Sequence, residues 1–226
     1  LTDSSGLLKS VPVEAGPEIW KSATRVISSG LCDLQVNGFA GVDYNDPTLM
    51  PEEFEKSLFA MLSTGVTTCL PTVITGSEEW QIQCFHALEA GRKASKLAQA
   101  MIPGYHLEGP FLNPEEGFCG CHPTKWMRPA TWDHFERLQE AAGGRITLIT
   151  VAPEIKGVLD LIPKLVEKGI VVAIGHCNPD RDTLLRAADA GVTLSTHLGN
   201  GIAQMLPKKD NPILGQLAED RFSASF

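Results

Sequence analysis

Apolar residues along the chain gather into short continuous runs, separated by stretches of helical spacing and closed by glycines. Leu31–Val36, Val66–Val73, Met101–Leu107, Ile146–Ala152, Ile170–Ile174 and Val192–Leu198 read as strands. Pro51–Leu62 sets Phe54, Leu58, Met61 and Leu62 at helical intervals, with Gly65 just beyond its end. Ser77-Glu78-Glu79 opens a second helix that runs to about Lys96, with Trp80, Cys84, Ala87 and Leu88 on one face. Val158–Lys168 and Asp180–Ala190 read as further helices, ended by Gly169 and Gly191. The strand runs are apolar throughout rather than alternating, the pattern of parallel strands covered on both faces. Strand–helix alternation at this spacing predicts an α/β fold, a (β/α)₈ TIM-type barrel with about six of its eight βα units present. A dinucleotide-binding sheet is disfavoured, because no G-x-G-x-x-G follows the first strand. Residues 1–28, broken by Pro12, Gly16 and Pro17, read as a separate N-terminal segment, a remnant of a small β domain or a disordered stretch. Residues 29–226 form the barrel domain.

Composition narrows the partners. The 226 residues carry a net charge of -8 and are 43% hydrophobic, which suits a soluble globular domain. An acidic chain lacks the clustered Lys and Arg that nucleic-acid binding requires. No apolar run approaches the ~20 residues of a membrane span. No secretory leader is visible, so the expected setting is reduced and cytoplasmic. Cys32, Cys69 and Cys177 lie in or beside apolar runs and are expected to pack as small buried hydrophobes. Cys119-Gly120-Cys121-His122 lacks the second ligand pair of a closed zinc site and reads as free thiols in a loop. That loop, Gly109–Ala130, holds four prolines and no helical period. Long irregular connections of this kind are usually functional.

The strand ends carry the chemistry. Gln35 and Asn37 close the first strand, His106-Leu107-Glu108-Gly109-Pro110 the third, Gly175-His176 the fifth and Thr196-His197 the sixth. In a βα barrel these ends converge on one mouth, where the active site lies. Any one of these histidines alone reads more simply as a hydrogen-bonding residue. One carboxylate and two imidazoles at a shared mouth instead match the three-ligand set of a catalytic divalent metal, with a position left open for water.

His106-Leu107-Glu108-Gly109-Pro110-Phe111, Gly175-His176 and Thr196-His197-Leu198-x-Asn200 resemble the N-acetylglucosamine-6-phosphate deacetylases of the amidohydrolase superfamily. Asp33-Leu34-Gln35-Val36-Asn37-Gly38 and Ala152-Pro153-Glu154 match in order and spacing, so the resemblance covers roughly residues 30–226. It implies that Glu108, His176 and His197 are the metal ligands. It implies that His122 contacts the acetamido group, with Cys121 beside it, and that Asn200 and Gly201 touch substrate. Gln35 and Asn37 stand where many superfamily members carry the His-x-His of a second metal, and amides are poor ligands beside imidazoles. One divalent ion is therefore expected, Zn²⁺ first, with Fe²⁺ or Co²⁺ as alternatives. The resemblance also implies a homodimer acting on a small amino sugar.

Two departures bear on activity. Where the family places an arginine for the sugar phosphate, this chain offers Lys208, a point charge without the bidentate fork. The family's acid–base Asp is expected beyond Phe226, with Ser223–Phe226 as the start of a further strand, so the barrel reads as incomplete. The expected function is metal-dependent hydrolysis of an N-acetyl amino sugar amide, with N-acetylglucosamine 6-phosphate as first candidate. Alternatives are an amidohydrolase acting on another N-acyl or cyclic amide, an inactive truncated paralogue, and an α/β scaffold without metal.

Overall fold

In the computed structural model, residues 29–226 are described, and Leu31–Phe226 form one unit. The N-terminal segment 1–28 lies outside the described residues. Strand β1 (Leu31–Val36) is followed by a small hairpin, β2 (Gly38–Phe39) and β3 (Val42–Asp43). Then come α1 (Pro51–Leu62), β4 (Val66–Val73), α2 (Glu78–Ala94), α3 (Lys96–Met101) and β5 (Tyr105–Glu108). After a long loop follow α4 (Trp132–Ala141), β6 (Ile146–Val151), α5 (Val158–Glu167), β7 (Val171–Ile174) and α6 (Arg181–Ala190). Strand β8 (Leu194–Ser195), α7 (Pro212–Leu217) and β9 (Ser223–Ala224) complete the order.

The main sheet runs β1-β4-β5-β6-β7-β8-β9, and every neighbouring pair is parallel. The α/β barrel architecture is thus the expected one. Ser223–Ala224 does pair with β8, as the sequence suggested.

Local sequence explains the helices. Pro51 sits in the first turn of α1, where its missing N–H costs nothing, beside Glu52 and Glu53 at the positive end of the helix dipole. Ser77 and Thr131 cap α2 and α4 by accepting from Trp80 and His134. Asp180 caps α6, and Gly191 ends it in the left-handed region.

Strand β5 shows how the sheet divides its residues. Tyr105 and Leu107 join Phe54, Phe85, Leu88, Ile149 and Val172 in the core between sheet and helices. Each such burial contributes about 1.5–3 kcal/mol. His106 and Glu108 alternate onto the other, inner face, as a period of two demands. On that inner face Leu70, Leu148 and Ala173 form a second apolar cluster, with Leu194 against it.

Four expectations shift. The third strand begins at Tyr105, because Met101 closes α3 and Pro103-Gly104 break the chain after it. The sixth shrinks to Leu194–Ser195. Helix α4 was not anticipated, since only Trp132, Phe135 and Leu138 interrupt an otherwise polar or Ala stretch. Among the described residues strand β1 lies at an edge of the sheet, and Leu31 and Cys32 are exposed rather than buried. Cys69 and Cys177 are buried as expected, and all six cysteines are free.

Candidate metal centre

A flat sheet would set β5 and β8 about 14 Å apart, at ~4.8 Å per strand. Glu108 Oε1 and His197 Nε2 nevertheless meet at 3.0 Å. From the other side, Gln35 of β1 reaches the same carboxylate, donating from Nε2 to Oε2 at 3.0 Å. The sheet is therefore strongly concave, and its strand ends converge as a barrel mouth does.

Three residues offer ligand atoms within 4.8 Å of one another: Glu108, His176 and His197. Glu108 Oε1 lies 3.4 Å from His176 Nε2 and 3.0 Å from His197 Nε2. Four-coordinate zinc at ~2.1 Å from each ligand would set ligand atoms about 3.4 Å apart. Both histidines hold left-handed backbones, with φ of 50° at His176 and 32° at His197. Non-glycine residues rarely adopt this conformation, and such strain concentrates at functional sites.

The tautomer of His176 is set by its surroundings. Its Nδ1 lies 2.9 Å from the carbonyl of Phe118, which can only accept, so Nδ1 carries the proton. In the neutral ring, Nε2 then presents a lone pair to a carboxylate oxygen. Two acceptors that face each other across 3.4 Å call for a cation between them. Glu108 is only 2% exposed. Burial would raise its pKa, but the three imidazoles around it hold it well below the usual carboxylate range. Burial disfavours charge on His197 as well, yet its bond to Glu108 raises its pKa above the ordinary value. The Nδ1 of His197 is buried without a hydrogen-bond partner among the described residues.

His122 reaches the centre from the loop after β5. Its Nδ1 lies 2.9 Å from Thr75 Oγ1 and 3.4 Å from the backbone N–H of Thr75. Its Nε2 lies 3.7 Å from Glu108 Oε1, and the ring packs edge-on against His176 with centroids 4.4 Å apart. His122 thus stands in the centre beside Glu108 and His176.

The glycine at 201 has a steric role. At φ 63°, a Cβ there would lie 2.4 Å from the His176 ring. Its N–H is taken by the side chain of Asn200 at 3.0 Å, and Asn200 itself is exposed. Cys121 is exposed beside buried His122. The side chain of Asn37 is exposed, and its carbonyl accepts from Tyr44 in the hairpin. Lys208 lines a separate cavity of about 180 Å³ with Arg181, Asp210 and Asn211.

Beneath the carboxylate lies a polar layer that sequence reasoning did not single out. His106 Nδ1 donates to the Leu34 carbonyl at 3.1 Å, and Nε2 accepts from Thr150 Oγ1 at 2.7 Å. Thr150 in turn bonds Thr196 Oγ1 at 2.7 Å. Burial lowers the His106 pKa to about 4, so the ring is neutral. The only signal in the sequence was polar residues at inward positions of apolar strands.

Fold and site together define an α/β barrel domain with a candidate metal centre at its strand ends. No protein-family model matches the chain. It is 30% identical over 214 residues to an N-acetylglucosamine-6-phosphate deacetylase of Bacillus subtilis, covering 91% of this chain and 51% of that protein. It is 33% identical over 205 residues to an N-acetylgalactosamine-6-phosphate deacetylase of a Shewanella species, covering 89% of this chain and 49% of that one. The solved N-acetyl-D-glucosamine-6-phosphate deacetylase of Mycobacterium smegmatis superposes with a TM-score of 0.76 at 28% identity, over 87% of this chain and 50% of the other. The chain belongs to the N-acetylglucosamine-6-phosphate deacetylase family and spans about half the length of the curated relatives it matches.

Proposed function

We propose that the protein takes part in hydrolysing the acetamide of an N-acetyl amino sugar 6-phosphate, with one divalent metal ion held by Glu108, His176 and His197. The carrying observation is the His176 lone pair fixed opposite the Glu108 carboxylate. When bound, the ion supplies Lewis acidity toward a carbonyl oxygen and toward water. Gln35 ties down Oε2 of Glu108 and leaves Oε1 to face the histidines. An amide at Gln35, engaged with Glu108, favours one ion over two. His122, whose Nε2 lies 3.7 Å from Glu108 Oε1, is proposed to contact the acetamide of the substrate. Cys121, Asn200 and Gly201 are proposed to contact the sugar.

The sugar phosphate calls for a cation. Lys208, with Arg181 on the same cavity wall, is its proposed cation. Support for the substrate class comes from the relatives: the Mycobacterium smegmatis enzyme has been solved with N-acetyl-D-glucosamine-6-phosphate, and the Shewanella relative is named for the galacto epimer. Zn²⁺ is the proposed ion, and Fe²⁺ or Co²⁺ suit the same donors. A homodimer is proposed. Among the described residues, no helix is long and apolar enough to cross a membrane.

The test is metal analysis of purified protein, followed by acetate-release assays on both 6-phosphates and their unphosphorylated counterparts. Stoichiometric metal, with any acetate release highest on a 6-phosphate, is the expected result. Activity confined to unphosphorylated amides would overturn the substrate assignment.

A further inference from the structure

Glu154 lies outside the metal centre, just past the end of β6, in the Ala152-Pro153-Glu154 motif to which the function above gives no role. Its Oε1 accepts two hydrogen bonds, from Asn113 Nδ2 at 2.9 Å and from the backbone N–H of Asn178 at 2.5 Å. Its Oε2 is buried with no hydrogen-bond partner among the described residues. A desolvated carboxyl oxygen without a partner is costly to keep, so the two bonds on its companion call for a purpose.

Both bonds lead to His176. Asn113 is itself buried, and its backbone N–H donates to the His176 carbonyl at 3.1 Å. Asn178 stands two residues beyond His176 in the chain. One carboxyl oxygen therefore grips the loop after β5, which bonds the His176 carbonyl, and the loop after β7, which contains His176. Between those grips His176 holds the left-handed backbone that aims Nε2 at Glu108. Side chains do not rest there without support from their surroundings.

We propose that Glu154 is the positioning residue of the metal centre, holding His176 in its left-handed conformation through Asn113 and Asn178. The proposal rests on the reading of Glu108, His176 and His197 as metal ligands. It differs from a generic structural role in one respect: what matters is a hydrogen-bond acceptor at Oε1, not the charge.

Zn²⁺ titration of the purified protein and its variants tests it. Glu154→Ala is expected to weaken Zn²⁺ binding by about tenfold or more, the range of an outer partner of a ligand histidine. Glu154→Gln keeps a carbonyl oxygen able to accept both bonds and is expected to bind within about threefold of the unaltered protein. Asn113→Ala removes the bridge while leaving Glu154 in place and should reproduce the loss; it also serves if Glu154→Ala does not fold. Unchanged affinity in Glu154→Ala or Asn113→Ala overturns the proposal, as does a Gln variant as weak as the Ala variant. Glu108→Ala separates the two readings. Stoichiometric Zn²⁺ in that variant sinks the metal centre itself, whereas its loss there beside wild-type binding in Glu154→Ala sinks only the role of Glu154.

Discussion

The inner face of the sheet has two ends, built from the same strands and put to different uses. At the strand C-termini, Gln35, Glu108, His122, His176 and His197 converge, and most of their polar atoms are engaged by a named partner. Backbone strain is stored there at two histidines. At the strand N-termini, Leu34, Leu70, Leu148 and Leu194 line an apolar cavity of about 570 Å³, together with Cys32 and Val171. The leucine side chains at that end pack by volume, without hydrogen bonds. The difference teaches that inward position alone does not make a residue functional. Where it falls along the strand decides whether geometry or only volume is under demand.

The comparison can be broken at either end. The largest effect is expected from His176→Ala, which removes a proposed ligand and leaves Glu108 facing one imidazole fewer. Metal should be absent by elemental analysis after dialysis, while urea unfolding still shows a cooperative transition. Retained stoichiometric metal would erase the distinction between the ends. Gly201→Ala should follow, since its Cβ would fall 2.4 Å from the His176 ring. Its metal affinity is expected to drop about 10- to 100-fold, as when a ligand's supporting contacts are disturbed, and titration with Zn²⁺ checks it. At the other end, Leu148→Ala should cost roughly 2–5 kcal/mol in urea unfolding. Metal stoichiometry of the folded fraction should not change. Smallest is Leu34→Ser. This side chain is 37% exposed, and only its backbone carbonyl holds His106. A shift within about 0.5 kcal/mol is expected, and a drop in metal affinity would show that the side chain matters after all.

Much of this was legible in the sequence because burial writes itself as apolar runs. The strands at 66–73, 146–151 and 171–174 lie where those runs lie. Glu108, His176 and His197 stood out because each metal-capable residue followed such a run. The third strand was misplaced because Met101 and Ile102 pack in the same core from α3 and its cap, and apolarity does not distinguish a helix end from a strand start. Helix α4 stayed hidden because three buried side chains suffice to dock it. Gln35 read as an empty ligand position, whereas it holds Oε2 of Glu108. That role depends on curvature, which brings β1 to β5 across an intervening strand, and no local pattern encodes it. The left-handed backbones of His176 and His197 are equally silent, since neither position is a glycine.

The carbonyl of Phe118 on Nδ1 of His176 has a consequence for how this domain can vary in length. The loop after β5 is pinned at Asn113 and again at Phe118. Inserting or deleting one residue between them would displace that carbonyl by up to ~3.5 Å and free the imidazole to flip. Relatives should therefore keep a constant residue count from Glu108 to His122. Insertions should collect instead around Pro123–Lys125, past the last contact with the centre, where exposed chain tolerates added length.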